Sequence, residues 1–200
     1  MDCAMNRAIL LDRDGVLIED VHLLQRPDQI RILPGVPPAL RHLKKAGFQL
    51  HVLTNQAVVA RGLLSEEAVR SLHHCLSTLL QQAGAPPIDG WFFCPHHPQA
   101  TLLAYRLDCH CRKPRPGMFL EAATTHHLDL AASYAVGDRM TDIAAGARAG
   151  CRTVLVETGR HLDPLITTSE PLDPDLRPDH ICANLPAAAR WIIESNDRFV

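Results

Sequence analysis

The stretch Ala8-Ile9-Leu10-Leu11-Asp12-Arg13-Asp14-Gly15 sets the terms on which the rest of the chain is read. Four apolar residues give way at once to two acids at i and i+2, and a glycine follows. A buried strand that ends this way delivers two carboxylates to the edge of a sheet, where open α/β sheets bind their ligands. The glycine lets the backbone turn sharply beside them. A strand end with a solvated Asp-Gly turn leaves the same local signature. The remainder of the chain decides between the two.

Three later apolar runs end in the same way. Phe48 to Leu53 runs into Thr54-Asn55-Gln56, Trp91-Phe92-Phe93 into Cys94-Pro95-His96-His97-Pro98, and Ser133 to Val136 into Gly137-Asp138-Arg139. Helical segments separate them. Val36 to Ala46 is closed by Gly47 and carries Arg41, Lys44 and Lys45 towards its end, as a helix C-terminus favours. Ser65-Glu66-Glu67 opens a second helix, with a capping serine and acids in the first turn. It runs to about Ala83. Further helices are expected from Pro116-Gly117 to roughly His127, from Thr141 to Ala149, and from Pro186 to Glu194. A fifth strand is expected over Thr153 to Val156 and an edge strand over His180 to Ala183, and residues 159–178 read as a surface loop. Strands alternating with helices predict a doubly wound, three-layer, Rossmann-like α/β fold on a parallel sheet. No repeat or boundary divides the chain, so residues 1–200 are expected to form a single domain.

The totals fit that expectation. Apolar content is 46%, charged content 21% and net charge −2, ordinary values for a soluble globular domain. A near-neutral balance gives no electrostatic case for nucleic acid or a membrane surface. The first residues hold no long apolar segment, and the apolar run that follows is cut at Asp12. A cytoplasmic protein is expected, its seven cysteines thiols or metal ligands rather than disulfides. The lack of a long apolar surface run points to a monomer.

The strand tips together define a chemistry. Asp12, Asp14, Asp138 and Asp142 are carboxylates of the kind that hold a hard cation such as Mg²⁺. Thr54, Asn55 and Lys113 are donors suited to phosphoryl oxygens. One aspartate can attack phosphorus while its neighbour moves protons. No GxSxG elbow, P-loop or GxGxxG fingerprint is present, so serine hydrolase, NTPase and dinucleotide readings have no support. Taken singly, the pieces are ordinary: a loop start, a surface Lys-Pro pair, a helix cap at Asp138. Four of them in order, each after an apolar run, are not.

A second constellation lies between two of these runs. Cys94-x-His96 and Cys109-x-Cys111 are two ligand pairs joined by residues 97–108. Three sulfurs and one imidazole match a closed, structural Zn²⁺ site. His97 and His110 are rival ligands on spacing alone. The loop ends at Arg112-Lys113, so clamping it fixes where those two cations point.

The order DxDG, T-N, K, GDxxxD resembles that of the haloacid-dehalogenase-like phosphatases. Leu53-Thr54-Asn55-Gln56, Ala60-Arg61-Gly62, Cys94-Pro95-His96-His97-Pro98 and Cys109-His110-Cys111-Arg112-Lys113-Pro114 are more narrowly similar to the heptose-bisphosphate and histidinol-phosphate phosphatase branches. The similarity runs from about Ala8 to Gly159. It implies a capless, Mg²⁺-dependent phosphatase that acts on a small phosphosugar through an aspartyl-phosphate and removes the 7-phosphate of D-glycero-D-manno-heptose 1,7-bisphosphate. By the same resemblance Asp12 is the nucleophile, and Asp14 protonates the leaving oxygen and then activates water. Thr54 and Lys113 hold the phosphoryl group. Mg²⁺ sits on the Asp12 carboxylate, the Asp14 carbonyl and Asp138, with Asp142 behind them. Arg13, Asn55, Gln56, Arg61, Arg112 and Arg139 face the substrate, and His96 is favoured as the zinc ligand.

Positions 15–53 and 55–112 are already occupied by predicted helices, strands and the zinc loop, which leaves no room for a cap domain. The site is therefore expected to be walled by Leu17 to Gln29, Ala57 to Gly62 and the zinc loop. Arg61 and Arg112 suit a second substrate phosphate. The chain departs from the family at Val16-Leu17-Ile18 and Ala57-Val58-Val59, both beside the pocket. Histidinol-phosphate hydrolysis and a non-catalytic, zinc-stabilised binding module are the competing readings.

Overall fold

The computed structural model describes residues 5–160 and 172–197. Six strands form one all-parallel sheet: β1 (Ala8–Leu11), β2 (Gln49–Asn55), β3 (Gly90–Cys94), β4 (Tyr134–Gly137), β5 (Arg152–Val156) and β6 (His180–Cys182). Their spatial order is β3-β2-β1-β4-β5-β6. The chain winds outward from β1 through β2 to β3 and then returns to place β4 against the other side of β1. That reversal opens a crevice at the carboxyl ends of β1 and β4, where doubly wound sheets bind ligands.

β1 lies at the centre and is buried on both faces, which is why its sequence is a continuous apolar run rather than an alternation. Its side chains still divide by the two-residue period of a strand. Ile9 and Leu11 pack on one face with Leu50, Val52, Val136 and Val154. Covering that face are α1 (Val36–Lys45), α3 (Glu66–Gln82) and α6 (Leu185–Asp197), which contribute among others Leu40, Leu43, Leu76 and Ile192. Ala8 and Leu10 turn to the opposite face, with Leu53 and Ala135. There α4 (Gly117–His126) and α5 (Met140–Ala149) supply Met118, Phe119, Ala122 and Ala145. The result is the three-layer arrangement expected from the sequence.

Local signals end the elements where the sequence places them. The Ser65 hydroxyl accepts from the Ala68 N–H at 3.1 Å and caps α3. Gly47, at φ +89°, closes the turn after α1. The wall segment after β2 is partly helical: α2 (Ala57–Ala60) is a single turn whose Val58 and Val59 pack on Val69. Of the predicted surface loop, residues 161–171 lie outside the described residues. Leu172 to Pro178 returns to wall the crevice rather than running over open surface.

Candidate active site

Asp12 is the first residue past β1, and its backbone N–H donates to the Val136 carbonyl at 2.9 Å, tying the tip of β1 to β4. Lys113 approaches from the loop before α4. Its Nζ donates to Asp12 Oδ1 at 2.7 Å and to the Leu53 carbonyl at 2.8 Å, and it pairs with Asp142 Oδ1 at 2.5 Å. Burial works against the ammonium, but Asp12 and Asp142 more than offset it and hold its pKa above the usual lysine value. Burial raises the Asp12 pKa, Lys113 opposes the rise, and Asp142 adds to it. Asn55 fixes the lysine's backbone: its Oδ1 accepts from the Lys113 N–H and its Nδ2 donates to the Lys113 carbonyl, each at 3.1 Å. The Lys113–Pro114 peptide is cis.

Asp14 rests on a buried network. Arg13 Nη2 donates to Asp14 Oδ2 at 2.8 Å and to Oδ1 at 3.0 Å, and it also reaches Gln56 Oε1 at 3.1 Å. The Gln56 amide donates to Asp14 Oδ2 at 3.2 Å and to Thr54 Oγ1 at 3.0 Å. Burial raises the Asp14 pKa against the pull of Arg13. Arg13 was expected to face the substrate. It is instead 1% exposed and does not reach the cavity, because its guanidinium turns inward under the sheet edge to hold Asp14.

Asp138 follows β4, and its carboxylate meets those of Asp12 and Asp142, with one oxygen from each residue within 4.8 Å of the others. Asp138 Oδ2 accepts from the Arg160 N–H at 2.7 Å, whereas the buried Oδ1 has no hydrogen-bond partner among the described residues. Burial, then Asp142 and Asp12, pushes its pKa up to about 8. Gly15, at φ +75°, lies so close that a Cβ there would strike Asp138 Oδ2, which explains why glycine stands at the turn. An orphaned carboxylate oxygen among converging acids fits a divalent cation with oxygen ligands.

These groups floor a cavity of about 830 Å³. Asp12, Asp14, Thr54, Asn55, Gln56 and Lys113 line it, as do Arg61, Arg112 and Arg139. His22 and Leu23, Ala57 and Val58, and His97 contribute walls from the three segments expected to do so.

Beside it, Cys94, His96, Cys109 and Cys111 converge. The three sulfurs lie 3.0, 3.3 and 3.5 Å apart, and His96 Nδ1 is 3.4 Å from Cys111 Sγ and 3.7 Å from Cys94 Sγ. These spacings approach the roughly 3.8 Å edge of a tetrahedron with metal–sulfur bonds of about 2.3 Å. Hydrogen bonding from Cys94 first, and then from His96, draws Cys111 down to about 5, while Cys94 and Cys109 are raised. Three sulfurs and an imidazole at this spacing fit a cation, which when bound would draw the thiols into their ionised form. The rival histidines stand apart: the His97 ring accepts from the Gln99 N–H at 3.0 Å and lines the cavity, and His110 is exposed. Arg112 Nη1 donates to the His96 carbonyl at 3.0 Å, joining the cluster to the cavity wall.

Residues 110–188 match the family model described as HAD-hydrolase-like. A D-glycero-β-D-manno-heptose-1,7-bisphosphate 7-phosphatase of Escherichia coli O6:H1 is 44% identical over 158 residues, spanning 78% of this chain and 83% of that protein. This chain belongs to the haloacid-dehalogenase-like phosphatases. A phosphatase of the same name from Yersinia pestis is 42% identical across 94% of this chain and 90% of its own length. Among solved structures, a D,D-heptose 1,7-bisphosphate phosphatase from B. bronchiseptica, complexed with magnesium and phosphate, is 34% identical with a TM-score of 0.78, covering 94% of this chain and 99% of that one. The corresponding enzyme from Burkholderia thailandensis is 27% identical with a TM-score of 0.65, over 94% and 99% of the two chains.

Part of this haloacid-dehalogenase-like phosphatase's site carries no sequence signal. Asp20 accepts from Arg139 Nη2 at 3.1 Å and pairs with Arg160 Nε at 2.7 Å, holding both arginines at the cavity. Burial opposes its ionisation, but the His22 N–H and the two arginines keep its pKa below the usual carboxylate range. Nothing local marks Asp20 and Arg160, or the pairing of Asp20 with Arg139, and Arg160 joins them only when the segment after β5 folds back. Asp142, expected behind the metal ligands, sits among them and pairs with Lys113.

Proposed function

We propose that this protein is a Mg²⁺-dependent phosphatase that removes the 7-phosphate of D-glycero-β-D-manno-heptose 1,7-bisphosphate, in a cytoplasmic route supplying heptose for surface glycans. The observation that carries the reading is the convergence of Asp12, Asp14, Lys113 and Asp138 on one crevice, in a chain similar along most of its length to phosphatases of that name. Among the described residues no helix is long and apolar enough to cross a membrane.

In this reading Asp12 attacks phosphorus and takes the phosphoryl group as an acyl phosphate. Asp14 gives its proton to the departing sugar oxygen, then takes one from the water that attacks phosphorus and frees inorganic phosphate. Arg13 and Gln56 hold the Asp14 carboxyl in one orientation. Lys113, steadied by Asn55, and the Thr54 hydroxyl face the phosphoryl oxygens. Asp12, Asp138 and the Asp14 carbonyl would hold Mg²⁺, which when bound neutralises charge on those oxygens. Cys94, His96, Cys109 and Cys111 would hold Zn²⁺, which fixes the loop that presents Arg112 and Lys113. Arg61, Arg112 and Arg139 supply charge for the phosphate that stays on the sugar. The protein acts as a monomer.

Phosphorus NMR of heptose bisphosphate incubated with the protein and Mg²⁺ tests this. Loss of the 7-phosphate signal, absent in Asp12→Asn, supports the reading. Faster hydrolysis of histidinol phosphate, or no hydrolysis of either compound, overturns it.

A further inference from the structure

His73 belongs to α3, outside every motif, and the mechanism above does not use it. It is nonetheless buried, with 4% of its surface exposed. Its ring stacks on Trp91 with centroids 4.9 Å apart and meets Phe93 edge-on at 5.7 Å. Its Nε2 lies 3.2 Å from Arg13 Nη1. A guanidinium only donates hydrogen bonds, so Nε2 is the acceptor and the proton of the neutral ring is on Nδ1. Burial, then Arg13, lowers the His73 pKa to about 3, in keeping with a ring that stays neutral.

The guanidinium of Arg13 is thus held from both ends. One side grips Asp14 and Gln56, and the other grips His73. Remove the acceptor and Nη1 is left buried without that partner, an arrangement that costs more than the bond itself supplied. The guanidinium then relaxes, and the carboxyl it orients relaxes with it. We infer that His73 is a positioning residue for general-acid catalysis, acting on Asp14 through Arg13. The inference rests on the role proposed above for Asp14.

The step it affects is proton delivery to the leaving oxygen. A sugar alkoxide is a poor leaving group and needs that proton, whereas p-nitrophenolate does not. The quantity to measure is kcat/KM, which reports events up to transfer onto Asp12, for an alkyl phosphate and for p-nitrophenyl phosphate. His73→Phe keeps the stack on Trp91 and removes the acceptor, and His73→Gln keeps an acceptor. For His73→Phe we expect kcat/KM on the alkyl phosphate to fall about tenfold, a fraction of the 10²–10⁴ that general acids supply. The aryl phosphate should change by less than about twofold, and His73→Gln should recover most of the loss. Equal losses on both substrates, or none on either, overturn the inference.

Imidazole ¹⁵N shifts of His73 in the wild-type protein give a second reading that does not depend on any variant folding. An unprotonated, hydrogen-bonded Nε2 supports the inference, and a protonated Nε2 overturns it. Should the wild type ignore heptose bisphosphate, the heptose assignment fails by itself. The alkyl-against-aryl contrast then runs on whichever alkyl phosphate the wild type does hydrolyse.

Discussion

Asn55 and Lys113 are joined by two reciprocal hydrogen bonds, each 3.1 Å, between one side-chain amide and the backbone N–H and C=O of a single residue. The tip of β2 thereby sets the position of a cation delivered by a loop many residues away. Asn55→Ala breaks both bonds and leaves the peptide groups to find water. Steady-state assays should show kcat falling about 10- to 100-fold, the range expected when a charged group moves by about 1 Å, with the fold retained by circular dichroism.

The zinc reading makes a separable prediction. In Cys109→Ser one of three sulfurs is lost from a cluster whose members lie within 4.8 Å of one another. Metal analysis should show zinc well below one per chain. Loss of a structural metal of this kind costs about 3 kcal/mol or more, which for a chain of this size lowers Tm by about 6–12 °C. Activity should fall with it, through Arg112 and Lys113, while Asp12 remains in place.

The pKa of Asp138 gives a prediction whose sign is unusual for a carboxylate. Its folded value of about 8 lies above the ordinary 3.8, so protonation stabilises the metal-free fold. That contribution is complete below about pH 4 and is lost as pH rises through 8. Metal-free Asp138→Asn should therefore melt several degrees above metal-free wild type at pH 8.5, and the gap should narrow towards pH 5. Added Mg²⁺ should raise the Tm of the wild type and leave that of the variant unchanged. Calorimetry of both proteins at the two pH values checks each part.

His51 carries the opposite sign. It is fully buried on β2, its Nδ1 has no partner among the described residues, and burial, then His126, lowers its pKa to about 4. A depressed base stabilises the fold above its unfolded value of 6.5, and that stability is lost as pH falls from 6.5 through 4. The span is worth about 3 kcal/mol. Urea midpoints of wild type and His51→Leu, compared at pH 7 and pH 4.5, should show the wild type losing more stability on acidification.

Arg61 lines the cavity with an exposed side chain. If it holds the phosphate that remains on the sugar, Arg61→Ala should raise KM for a sugar bisphosphate about tenfold or more and leave a monophosphate ester nearly unaffected. Parallel KM determinations on the two substrates decide it.

The strand tips were legible because each is a local event: an apolar run stops and a polar cluster begins within a few residues. Asp12, Thr54 and Asp138 came from that signal and Lys113 from its place just before a helix, while spacing offered the Cys–His cluster and the family resemblance favoured His96 over His97 and His110. Arg13 shows where local reading stops. A charged residue between two site acids looks substrate-facing, yet the chain bends there and the guanidinium folds inward onto the Asp14 carboxyl. What it meets there, His73 on α3 and Gln56 past β2, is fixed only by how the layers stack. Asp20 and Arg160, and the pairing of Asp20 with Arg139, carry no local signal for the same reason, since a charge pair between distant segments leaves no periodic trace. Leu172 to Pro178, rich in proline and acid, read as solvated loop because composition reports polarity and not the direction in which a segment folds back.

The central claim is that the phosphoryl group passes through Asp12. Rapid quenching of the protein during turnover into borohydride reduces an acyl phosphate to an alcohol, and peptide mass spectrometry locates the reduced residue. The account predicts residue 12 converted from aspartate to homoserine, in a substrate- and Mg²⁺-dependent amount. Reduction at another carboxylate, with residue 12 left as aspartate, would contradict it.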